Sequence, residues 1–192
     1  MPESPSNVAR EWLIRFSLYA KLAGTTVEYA MVLGMSVETF TFLHVVISMV
    51  GIMTGFVVVG LMLQSAPLAG WNAFFLISTI LTSVSGYFFP IKGLTPAHVV
   101  GAISLITLAV ALYAIYGKKL AGRWRVVYIG TAIFALYLNV FVGVVQSFQK
   151  FAYLNKFAPT GSEPTFAVTQ LLVLILFVIA GVAVVRRYRP AS

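Results

Sequence analysis

Five stretches of this chain contain no Asp, Glu, Lys or Arg: Thr41 to Leu63, Asn72 to Phe89, Ala97 to Tyr116, Val126 to Ser147 and Phe166 to Val185. At about 1.5 Å of rise per residue, each makes a helix roughly 27 to 35 Å long, the thickness of a bilayer's hydrocarbon core. Inside that core only helices and closed barrels satisfy every backbone N–H and C=O. The runs are continuously apolar, without the period-two alternation of barrel strands, so the barrel is excluded. Charged residues make up 9% of the chain, too few to cover a water-soluble domain, which carries about 25%. The pattern predicts an all-α, polytopic helical membrane protein. Its five transmembrane helices form a single domain over 41–192 in a lipid bilayer, with the bacterial inner membrane as the expected location.

Residues 1–40 read as an interfacial segment. Val8, Trp12, Phe16, Tyr19 and Ala23 share one helical face, with Arg10, Ser17 and Lys21 opposite. That predicts an amphipathic helix lying in the interface. A sixth span here would bury Lys21 or Glu28, which is costly. Thr25 and Glu28 have capping-box spacing, Gly34 can stop a second short helix, and Ser36 can cap the first span. No basic-apolar-small pattern follows Met1 to Ser6, so no cleaved signal peptide is expected.

Basic residues set the orientation. Lys118, Lys119, Arg123, Arg125, Arg186, Arg187 and Arg189 follow the third and fifth spans, against Lys92, Lys150 and Lys156 at the opposite ends. Seven against three, counting only span-proximal residues and setting aside Arg10, Arg15 and Lys21 farther off on the opposite face, predicts a cytoplasmic carboxyl terminus. Span ends beside anionic headgroups account for the net charge of +8, so nucleic acid is not an expected partner. The longest connection, 148–165, sets Phe151, Tyr153 and Phe157 before a breaker-rich run, as expected of an interfacial turn or helix extension.

The chain's two histidines open their spans with the same tripeptide. His44-Val45-Val46 begins a run closing at Leu68-Ala69-Gly70-Trp71, and His98-Val99-Val100 one closing at Leu120-Ala121-Gly122-Arg123-Trp124. Such self-similarity, at a period of about fifty residues, predicts one helical hairpin used twice, the first four spans forming a four-helix bundle of two tandem hairpins. An ionisable group inside a span is a functional-site expectation.

Direction of travel places most polar intramembrane side chains in one leaflet: His44 and His98, Gln170, Asn139 and Gln146, and Thr82, Ser83 and Ser85. His44, Ser48, Gly51 and Gly55 make an i, i+4, i+7, i+11 stripe, and so do Asn139, Gly143, Gln146 and Lys150. His98 shares a face with Gly101. Small residues let another backbone or a flat ligand approach, and amides in spans seek partners in the bundle interior. Thr95-Pro96-Ala97-His98 also reads as a helix start.

Paired histidines in parallel repeats would be related by a pseudo-two-fold axis along the membrane normal, and a haem iron takes one imidazole from each side of the ring. Over residues 41 to 147 this architecture resembles the small four-helix membrane b-type cytochromes, whose histidines on different helices hold haem inside the bundle. The resemblance implies haem b with His44 and His98 as iron ligands, room for the ring beside Gly51, Gly55 and Gly101, and electron transfer with quinone. Members often hold two haems on four histidines; this chain offers one bis-histidine site at most.

Two other readings stay open. One is a small channel or transporter for protons or a small solute, lined by Ser48, Asn139, Gln146 and Gln170 with the histidines. The other is a non-catalytic membrane subunit or assembly factor, partnered by another membrane subunit, whose polar residues only join helices. The absence of cysteine removes disulfides, thiolate metal sites and thiol nucleophiles. No carboxylate lies in the five runs to complete a zinc site or orient a catalytic histidine. Met49 and Met53, the softer metal ligands at hand, fall off the His44 stripe. No phosphate-binding glycine loop is present.

Overall fold

The computed structural model describes residues 15, 31–90, 93 and 95–189. The expected amphipathic helix over 8–23, Arg15 apart, and the Thr25–Glu28 cap lie outside the described residues. Strands β1 (Met31–Val32) and β2 (Met35–Ser36) form a two-residue hairpin. Gly34, expected to stop a helix, instead takes a positive φ of 79° in its turn. As expected, Ser36 caps the first long helix, accepting from the Thr39 N–H at 3.2 Å.

Six α-helices follow: α1 (Val37–Leu63), α2 (Ala69–Ser85), α3 (Pro96–Leu112), α4 (Trp124–Lys150), α5 (Ala152–Asn155) and α6 (Pro164–Arg187). A 3-10 turn, Gly86–Phe88, extends α2, and a π turn, Tyr113–Gly117, extends α3. Among the described residues four helical segments are long and apolar enough to cross a membrane: Val37–Leu63, Pro96–Gly117, Trp124–Lys150 and Pro164–Arg187. The chain is accordingly an integral membrane protein. The expected span over 72–89 appears as α2, at 17 residues shorter than those four.

Packing closes a ring. α1 lies on α2, α2 on α3, α3 on α4 and α4 back on α1, while α6 rests across α4 and α1. α2 runs antiparallel to α1 in constant register, with His44 opposite Ser85, Gly51 opposite Ser78 and Thr79, and Gly55 opposite Phe75. The apolar core fills the half of the ring away from His44, around Val58, Met62, Phe75, Leu76, Leu108 and Leu136. The outward faces are also apolar, as at Met53, Phe56, Ile106, Leu172 and Leu176, all exposed. Lipid rather than water suits such a surface.

The basic ends meet at one pole. Arg125 donates from Nη1 to the carbonyls of Val185 and Tyr188, and Ser65 Oγ donates to the Arg187 carbonyl at 2.9 Å. These bonds satisfy carbonyls at the α6 terminus that have no partner within the helix. At the opposite pole α5 is the expected helix extension, with Phe151, Tyr153 and Phe157 exposed beside it. There the Thr160 N–H, then other donors of Thr160 and Ser162, hold the Glu163 carboxyl below its usual range.

The two hairpins are less alike than their sequences. Ala69 to Trp71 form the first turn of α2, whereas Lys119, Leu120 and Gly122 take positive φ in the loop before α4. His44 is the eighth residue of α1, but Pro96 starts α3 so that His98 is its third. Ser36 and Thr95 thus cap the two helices at different distances from their histidines.

Candidate functional site

Thr79, Thr82 and Ser83 of α2 and Gly86 of its 3-10 extension recur at i, i+3, i+4 and i+7, the spacing of a single helical face. This face meets His44 and Ser48 of α1, Gly101 and Ser104 of α3, and Asn139 of α4 around a cavity of about 110 Å³. All four ring helices contribute. Leu138, Val142, Val100 and Ala97 complete the wall.

Hydrogen bonds join the helices across this layer. His44 Nδ1 lies 2.8 Å from Ser85 Oγ, Ser48 Oγ donates to Asn139 Oδ1 at 2.9 Å, and Ser83 and Ser104 meet at 2.9 Å. Asn139 is 8% exposed, and among the described residues its Nδ2 has no partner. An unpaired buried donor is costly, by about 1 to 3 kcal/mol.

Below this layer the cavity ends. A Cβ on Gly55 would lie 2.5 Å from Leu136 Cδ1 and 3.0 Å from the Phe75 ring. Thus α1, α2 and α4 are in close contact there, with Val58 and Met62 buried beyond. The polar layer is a blind pocket, not a continuous pore.

The two histidines do different work. Ser85 Oγ, 2.8 Å from His44 Nδ1, also lies 3.2 Å from the Thr82 carbonyl. His98 Nδ1 accepts from the Thr95 N–H at 3.1 Å, closing a capping box at the start of α3. The proton of neutral His98 must therefore sit on Nε2. Its ring packs on Tyr87, whose hydroxyl donates to the His98 carbonyl at 2.7 Å. Both histidines approach the turn ending α2, His44 through Ser85 and His98 through Tyr87.

These residues do not fit a haem. An iron ligand needs a free nitrogen lone pair, and His98 has none in this tautomer. The space expected beside the glycines is filled: Asn139, Thr79 and Ser78 crowd Gly51, Phe75 and Leu136 crowd Gly55, and the Tyr87 ring lies 3.2 Å from a Cβ at Gly101. A cavity of about 110 Å³ is also small beside the roughly 300 Å³ at the lower end of organic-ligand sites. Among the described residues no three His, Cys, Asp or Glu come together as metal ligands.

Two amides lie outside the cavity. Gln146, expected to line the interior, is exposed. The end of α4 is covered on its Phe148 side instead, where Phe166 packs and Asn155 donates to the Phe148 carbonyl, and that side is nearly opposite Gln146. Gln170 is buried, but between α6 and α4, where its Nε2 donates to the Phe141 carbonyl at 3.2 Å. Thr79 and Ser104 are cavity residues that the sequence reading passed over, although the i, i+4 spacing of Thr79 and Ser83 signalled the first. No protein-family model matches this chain, and neither the curated proteins nor the solved structures yield a match.

Proposed function

We propose that this chain spans the membrane five times with its carboxyl terminus in the cytoplasm. In this reading the outer half of its bundle receives a small polar solute or protons in a blind intramembrane pocket. The observation that carries it is the cavity walled by hydroxyls, the His44 ring and the Asn139 amide. Counting α2 as a span is supported by its register along α1 and by its 3-10 extension. Together residues 69–88 rise roughly 31 Å, enough for the hydrocarbon core. The basic pole supports the orientation, which turns the His44 end away from the cytoplasm. The Gly55–Phe75–Leu136 contact argues for binding from one face, with passage onward requiring those helices to part.

Because the chain has no cysteine, Ser83→Cys supplies a single thiol on the pocket wall. A small membrane-impermeant thiol reagent is expected to modify it from the non-cytoplasmic face and not from the other. A thiol inert from both faces, or reactive only from the cytoplasm, contradicts the reading.

A further inference from the structure

Gly130 on α4 and Gly181 on α6 leave a gap on the outside of the bundle. Arg125 Nη1 donates to the Val185 carbonyl near one end of this helix pair, and Gln170 Nε2 donates to the Phe141 carbonyl near the other. The two helices therefore run antiparallel, and in that register the two glycines fall at one level. Among the described residues a Cβ at Gly130 would meet nothing within 4 Å, and one at Gly181 only Ile133, at 3.9 Å. Between Val126 and Tyr137 on α4 and Leu174 and Val185 on α6 lies an open apolar groove of about 260 Å³. It shares no lining residue with the polar pocket.

Length selects the occupant. From Val126 to Tyr137 α4 rises roughly 17 Å, the depth of one leaflet in a hydrocarbon core about 30 Å thick. The lining stops one turn short of the bond that ties Gln170 to Phe141. A transmembrane helix, from a second copy or another protein, would need a seat along the whole thickness, whereas an acyl chain needs a single leaflet. An unfilled gap forfeits the dispersion contacts of its walls, so a chain seated there gains contacts that a smooth helix face does not offer. Charge then selects the headgroup. The Val126–Val185 end of the groove is the basic pole. Arg123 precedes Val126 by three residues, with helical φ and ψ, and so continues the groove face of α4. Arg186 follows Val185, and both arginines are exposed. Arg125, joined to α6 at this end, engages only its Nη1 among the described residues. The described carboxylates, Glu38 and Glu163, lie at the starts of α1 and α6, at the other pole. Guanidinium forks match phosphate oxygens, and basic clusters at span ends attract anionic lipid. We infer that this groove binds an anionic phospholipid, with one acyl chain between Gly130 and Gly181 and the headgroup at Arg123, Arg125 and Arg186. The site does not depend on the polar pocket being accessible.

The test is native mass spectrometry of the full chain in detergent with equal amounts of dioleoylphosphatidylglycerol and dioleoylphosphatidylcholine. The first lipid retained is expected to be the phosphatidylglycerol, over the zwitterionic lipid by several-fold. Gly130→Leu fills the groove without meeting a neighbour, and Arg123→Gln combined with Arg186→Gln removes charge at its end. Each is expected to lower phosphatidylglycerol occupancy several-fold. Gly60→Leu, equally open among the described residues, is expected to bind as the parent chain does. Equal retention of the two lipids, parent-like occupancy in either the Gly130 or the paired arginine variant, or an equal loss in Gly60→Leu overturns the inference. A dimer of the parent chain that Gly130→Leu abolishes would make the groove a seat for a second copy and overturn it as well.

Discussion

Gly55→Leu is expected to destabilise the bundle by about 1 to 3 kcal/mol, the range for overpacking a filled interior, and to lower its thermal midpoint in detergent. The cause is local. A Cβ at this position already falls 2.5 Å from Leu136 Cδ1 and 3.0 Å from two atoms of the Phe75 ring. Leu136 can yield by changing rotamer, but a whole isobutyl group cannot be placed without moving α1 off α2 or α4. In a bilayer the separated helices meet lipid as apolar as each other, so close packing supplies much of the association. Gly60→Leu is the control: among the described residues nothing lies within 4 Å of its added Cβ, and a change within about 0.5 kcal/mol is expected. Equal melting of the two variants would show that α1 and α2 do not approach closely at Gly55.

Tyr128→Ala should be more damaging, by about 3 to 5 kcal/mol, the usual effect of deleting a buried aromatic. Tyr128 is fully buried on α4, and its hydroxyl donates to Asn72 Oδ1 on α2, itself buried. Tyr128→Phe separates the two contributions, because it keeps the ring and leaves only the Asn72 oxygen unpartnered. That variant is expected to lose about 0.5 to 2 kcal/mol, in keeping with interhelical hydrogen bonds in membranes. Thermal melts of the two variants check the order. If Tyr128→Ala melts no lower than Tyr128→Phe, the ring is not packed in the core.

Class was legible because charge has nowhere to hide in a hydrocarbon core; the uncharged runs mark the long helices within a few residues. The polar leaflet was legible for a related reason, since direction of travel alone puts His44, Ser83 and Asn139 at one depth. Ser48 and Asn139, assigned to interior stripes by helical phase, are bonded to each other. What periodicity could not supply was lateral coverage. Gln146 shares the phase of Asn139, yet it lies where neighbouring elements cover the opposite side of α4. Nor could it distinguish a glycine that leaves room from one whose room a neighbour fills, as Tyr87 does at Gly101. The repeated His-Val-Val misled most. Identical tripeptides hid different helix starts, and Pro96 beside Thr95 made His98 a capping residue while His44 lies a turn deeper.

The different roles of the two histidines are the central claim, and the chain's having only two makes them directly measurable. The ring nitrogens of ¹⁵N-histidine-labelled protein in lipid report by chemical shift which nitrogen carries the proton, with His44→Phe assigning the signals. The expected spectrum at alkaline pH has His98 protonated on Nε2, because its Nδ1 accepts from the Thr95 N–H. A His98 ring protonated on Nδ1, or both rings shifted together by a bound iron, would contradict the division between a cavity histidine and a capping one.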